Sequence, residues 1–80
     1  MHEAKLCLQL LDLAATHLAR AGGGRILVLR VEVGALSGVA AEALDRAFPI
    51  CAAGTVAEGA ELRVERTPGR DLVLRDMEVI

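Results

Sequence analysis

The chain opens Met1-His2-Glu3, and of all its stretches this one carries the donor types a metal ion could use. A free α-amine, the amide joining Met1 to His2, and the His2 imidazole can close fused five- and six-membered chelate rings around a single ion. The amides that follow, or the Glu3 carboxylate, can supply a fourth donor. A planar, nitrogen-rich set of this kind suits Ni(II) or Cu(II) better than Zn(II), which prefers a tetrahedron. Amide and imidazole donors must shed protons to bind, so the affinity of such a site rises with pH.

Other chemistry is thinly represented. No nucleophile elbow, phosphate-binding loop, CxxC pair or HExxH helix occurs, and the Gly22-Gly23-Gly24 run follows a helical pattern instead of leading into one, so it is no phosphate cradle. The acidic pairs Glu42/Asp45 and Glu61/Glu65 fall on predicted outer faces, where solvated charge is the simpler reading than an acid/base couple. The protein is therefore read as a non-enzyme. Cys7 and Cys51 each sit among apolar residues, which favours two free, packed thiols; a metal pair of Cys7 with His2 is the sharper alternative. His17, near the end of the first helix, is read as a surface or packing residue.

The elements that must position the opening residues follow from periodicity. Between Ala4 and Arg20, the residues Lys5, Gln9, Asp12, Thr16 and Arg20 form one polar stripe, and Leu6, Leu10, Leu13, Cys7, Leu11, Ala14 and Leu18 fill the rest of the helix. The three glycines stop it. In Arg25–Gly34 a strand is expected, with Leu27, Leu29, Val31 and Val33 on the core face and Ile26, Val28, Arg30 and Glu32 on the other. A second helix is expected within Ala35–Phe48, with Ser37 as its N-cap and Glu42 pairing with Arg46 one turn on; Pro49 should kink or end it. Leu44, Ala47, Phe48 and Cys51 mark its buried row.

Two further strands, Glu61–Thr67 and Asp71–Ile80, flank Thr67-Pro68-Gly69-Arg70, where Pro and Gly occupy the central positions preferred by a type II turn. That turn is not a favoured hairpin, so the two strands either neighbour each other or flank the first strand. The expected fold is α+β, a three-stranded mixed sheet with two helices on one face in the order α-β-α-β-β.

Composition bounds the partners. Eighty residues make one small domain, and with 54% apolar residues but a single aromatic, more aliphatic surface is present than so small a core hides. Self-association is expected, as a homodimer or by strand exchange through Leu72, Leu74, Met77 and Val79. A net charge of −2 with the signs interspersed offers no basic stripe to nucleic acid. No apolar run approaches the length of a membrane span, and Glu3 and Lys5 stand where a signal peptide would have a positive start, so a cytoplasmic protein is expected.

Four stretches in order, MHEAKLCLQLLDLA, LRVEVGALSGVAAEALDRAF, AAGTVAEGAELRVER and GRDLVLRDMEVI, resemble the nickel-binding domain of the HypA/HybF hydrogenase and urease nickel-incorporation family. The most specific pieces are the Met1-His2-Glu3 start, Gly34-x-Leu36-Ser37-x-Val39, Gly54-Thr55 and Glu78-Val79. The resemblance implies a nickel metallochaperone that holds Ni(II) through His2 and nearby backbone nitrogens, with Glu3 in the same site. It also implies delivery toward a HypB-type GTPase and the hydrogenase large subunit. The alternative is a metal-free interaction module that kept the fold and partner surface. In that family two CxxC pairs hold a structural zinc between the second strand and the last; here Thr67–Arg70 stand in that place, so no structural zinc is expected. A natural paralogue without the module and an excised form with rejoined ends both fit. Relatives often carry an acidic residue after the Gly-x-Leu-Ser-x-Val stretch, where this chain has Ala40 and Ala41 before Glu42.

Overall fold

The computed structural model describes residues 2–80. Its central element is β1 (Ile26–Gly34), which pairs on one side with β2 (Glu61–Thr67) in parallel and on the other with β3 (Leu72–Val79) in antiparallel, giving the order β2-β1-β3. The second and third strands thus flank the first. Helices α1 (His2–Arg20) and α2 (Ala41–Ala52) cover one face, packing on Leu29, Val31 and Val33 of β1 and on half-buried Leu62, Val64, Leu72, Leu74 and Met77 of the outer strands. This is the mixed three-stranded α+β sheet with two helices on one face that the sequence leads one to expect.

The other face of the sheet is a charge lattice. Arg30 donates to Asp76 and Glu78 on β3, Arg75 pairs with Glu65 across β1 and with Glu32, and Arg63 closes on its own neighbour Glu61. Alternating signs let each guanidinium meet a carboxylate, and exposed pairs of this sort contribute little to stability individually. Their role is to keep that face wet, which directs the apolar face to the helices.

Helix α1 buries Cys7, Leu10, Leu11, Ala14 and Leu18 and presents the expected polar stripe to solvent. It ends in a Schellman motif, with the Gly23 amide donating to the Leu18 carbonyl and the Gly22 amide to that of Ala19. Leu13, expected to be packed, is 46% exposed, because α1 lies against β3 without covering the strand's outer flank.

Four other expectations are corrected. Leu27 is 47% exposed while Ile26 is buried, since the β1–β3 register shifts between Ile26 and Val28; the extra residue inverts the alternation upstream of it. Ser37 is not the N-cap of α2. Gly38 adopts a positive φ of 79°, the Ser37 hydroxyl accepts the Val39 amide at 3.2 Å, and helical bonding begins only when Leu44 donates to Ala40 at 3.0 Å. Glu42 pairs with Arg66 at 3.4 Å, not with Arg46. Pro49 does not end the helix, which continues to Ala52; the proline is exposed, so water can serve the freed Asp45 carbonyl, while buried Phe48 and Ala52 hold the backbone on either side.

The link between β2 and β3 passes over the end of β1. Gly34 donates to Asp71 at 2.9 Å, Ala35 to Thr67 at 2.7 Å and Leu36 to Gly69 at 2.9 Å, so the link is strapped down by backbone alone. Gly69 does not have a positive φ, so this is not the type II turn its sequence suggests. The glycine that matters is Gly34: a Cβ there would fall well inside contact distance of the Gly69 carbonyl and of the Arg70 nitrogen.

Candidate metal centre

His2 and Glu3 form the start of the first turn of α1, with His2 exposed and Glu3 half-buried. The α-amine of Met1, and the Met1 side of the Met1–His2 amide, lie outside the described residues. At a helix start the first amides have no intrahelical carbonyl to donate to, which leaves those of His2, Glu3 and Ala4 free for another role. As N–H groups they repel a cation, and the positive end of the helix dipole adds to this. Only in deprotonated form could they serve as metal donors, so a metal held here would be bound with release of protons. The acidic Glu3 offsets the dipole at that point.

Side chains alone do not assemble a metal site. Among the described residues no three His, Cys, Asp or Glu side chains converge on a common point. Glu42, the acidic residue after the Gly-x-Leu-Ser-x-Val stretch, is held by Arg66 and lines a groove with Val33, Gly34, Ala35 and Val39, none of them on α1. Cys7 does not pair with His2. It is fully buried, with its Sγ donating to the Leu44 carbonyl at 3.5 Å, and burial, helped by Cys51 and Glu3, pushes its thiol up to about 11. Such a thiol stays protonated near neutrality and is a poor ligand.

What surrounds the first turn was not foreseen. Ala4 faces Arg46, Ala47, Ile50 and Cys51 of α2 across an open apolar groove, and Ile50 is 80% exposed beside it. The signal available in the sequence was the pair of apolar rows: Cys7 and Cys51 occupy the buried row of their respective helices, which places both at the α1–α2 seam. The structure finds both thiols free and packed, as expected.

Comparison with known proteins adds a family to this geometry. Residues 1–72 match the family model described as hydrogenase/urease nickel incorporation, metallochaperone, hypA. The chain is 49% identical over 69 residues to the hydrogenase maturation factor HypA of Deinococcus radiodurans, covering 86% of this chain and 58% of that protein. It is 43% identical over 70 residues to the protein of the same name from Geobacter sulfurreducens, covering 88% and 61% respectively. To hydrogenase maturation factor HypA 2 of Bradyrhizobium diazoefficiens it is 39% identical over 69 residues, with coverages of 86% and 61%. The chain thus spans about three-fifths of the length of these curated relatives.

Proposed function

The chain belongs to the HypA family of hydrogenase and urease nickel-incorporation metallochaperones, and from that premise we propose that it carries Ni(II) as cargo at the first turn of α1 for the maturation of nickel enzymes such as NiFe hydrogenase. The observation that carries this reading is a family match running from residue 1 together with an exposed His2 at the start of a helix. In this reading the His2 imidazole and the adjoining backbone nitrogens hold the ion, with Glu3 contributing its amide or its carboxylate. Among the described residues no three acidic, thiol or imidazole side chains converge, so in this proposal the set is built mainly from backbone.

The physical chemistry of that set fits a carrier. Binding requires imidazole and amides to be deprotonated, so a fall in local pH or protonation at a docking partner weakens it. An exposed terminal turn can be reached by an acceptor without unfolding the core. The chain acts, in this proposal, as a nickel-binding domain over residues 1–80 in the cytoplasm, with the link at 67–70 in place of a zinc module. It passes its cargo toward a HypB-type GTPase and the hydrogenase large subunit, and its role is non-catalytic.

Nickel titration by calorimetry on protein with a native, untagged amino terminus tests this. Wild type is expected to bind one Ni(II) at micromolar or lower concentration, more tightly as pH rises, and His2→Ala to lose binding. An amino-terminal extension is expected to abolish it by removing the α-amine. Equal binding by wild type and His2→Ala, or no binding by either, overturns the carrier reading and leaves the metal-free interaction module.

A further inference from the structure

The chain has only two cysteines, and although 44 positions separate Cys7 from Cys51 the fold brings them to one seam. Each thiol reaches across to the other helix: Cys7 Sγ donates to the Leu44 carbonyl of α2 at 3.5 Å, and Cys51 Sγ donates to the Ala4 carbonyl of α1 at 3.8 Å. Cys51 is among the groups that push the Cys7 thiol up, after burial. Ala4 and Ala47 beside them add no bulk to hold the helices apart there. Their accessibility differs, since Cys7 is 0% exposed whereas Cys51 lines the open groove with Ala4, Arg46, Ala47 and Ile50.

We propose that Cys51 and Cys7 are an oxidant-reactive pair that closes an intramolecular disulfide when the protein meets a peroxide, stapling α1 to α2 beneath the first turn. Cys51, reachable from solvent, reacts first: its thiol gives up its proton, the sulfur attacks one peroxide oxygen, the O–O bond breaks, and the departing hydroxide takes up that proton as water, leaving a sulfenic acid. The Cys7 sulfur then attacks the Cys51 sulfur, the S–S bond forms as the S–O bond breaks, and the departing oxygen takes up the Cys7 proton as a second water. Overall two thiols and one hydrogen peroxide give one disulfide and two waters. Burial screens Cys7 from the peroxide while Cys51 lines the open groove, which sets the order of the two steps. A dithiol reverses the reaction by exchange.

The staple closes a loop of about 45 residues containing β1 and most of both helices, and a loop of that length removes enough unfolded-state freedom to raise Tm by roughly 20 °C in a domain of this size. The inference does not depend on nickel, and its test uses the metal-free chain of residues 1–80. Reduced protein is freed of reductant and treated with a small molar excess of hydrogen peroxide. The expected result is a monomer lighter by two hydrogens, the tryptic peptides 6–20 and 47–63 joined through their cysteines, a higher Tm, and reversal by dithiothreitol. Cys51→Ser should leave Cys7 unreacted, and Cys7→Ala should stop at a sulfenic acid that dimedone traps. Oxygen accumulating on Cys51 of wild type without a crosslink, a link between two chains, or no reaction would each overturn the proposal. Wild type and Cys51→Ser decide the matter even if Cys7→Ala fails to fold.

Discussion

At the first turn of α1 an exposed histidine stands at a helix start whose leading amides have no helical acceptor; at the far end of β1, three backbone hydrogen bonds and a glycine in close contact pin down a four-residue link. Both regions are exposed turns rich in polar backbone. One leaves its groups uncommitted and the other commits nearly all of them. The contrast separates two jobs: the core and the strap hold the sheet, and the candidate donors lie outside both.

Damage to the strap should be felt as stability and damage to the first turn as binding. Gly34→Ala is expected to have the largest effect, lowering stability by about 3 kcal/mol in urea unfolding. Its φ is ordinary, so the cost is steric: the new methyl meets backbone of Gly69 and Arg70, which cannot swing aside as a side chain would. Nickel titration of the folded fraction should be unchanged.

The seam between the two helices sits between these extremes and has a pH signature. Cys7 ionises at about 11 in the folded protein against 9.0 for an unburied thiol, so between those values the unfolded chain has lost a proton the native one keeps. Stability from this source is complete below pH 9 and falls as pH rises toward 11, by about 3 kcal/mol at most. Chemical denaturation at a series of pH values should show that decline in wild type and a flatter profile in Cys7→Ala.

Two smaller effects sharpen the comparison. Pro68→Ala, in an exposed part of the link, should lower stability by about 0.5–1 kcal/mol by loosening the unfolded chain, measured as a shift of the urea midpoint. His2→Ala should move stability by less than about 0.5 kcal/mol, because an exposed residue in a fraying turn contributes little, while removing nickel binding altogether. A His2 variant that unfolded the domain would break the division.

Much of this was legible beforehand, for reasons that can be named. The polar stripe of α1 and the alternation of β2 are simple periods, and periods survive folding when nothing interrupts them. Leu27 was misplaced because an inserted bulge residue leaves no mark on an alternating pattern. Ser37 was misread because its hydroxyl satisfies a local turn around Gly38, a competing use of the same side chain. The effect of Pro49 was overstated because Phe48 and Ala52 anchor the helix on both sides of it. Strand order stayed open since Thr67–Arg70 reads equally as a turn between neighbours or as a short bridge over a third strand; the residue that reveals the bridge is Gly34, more than thirty positions earlier. At the candidate site, His2 and Glu3 stood out by type and position. For Cys7 and Cys51 the two apolar rows show only that both face a neighbouring element; that they lie close at one seam depends on how the helices cross and not on spacing along either one.

The central place of β1 carries a consequence for how the protein is made. Arg25 and Ile80 exchange backbone hydrogen bonds at 3.3 and 3.0 Å, so the β3 side of the sheet is closed at its base only by residue 80. On a ribosome, α1, β1, α2 and β2 all emerge before β3, and until then β1 has an open edge of aliphatic residues available to any other strand. The nascent chain is therefore at its most adhesive before β3 emerges, and the sheet closes only when β3 takes its place on that edge of β1.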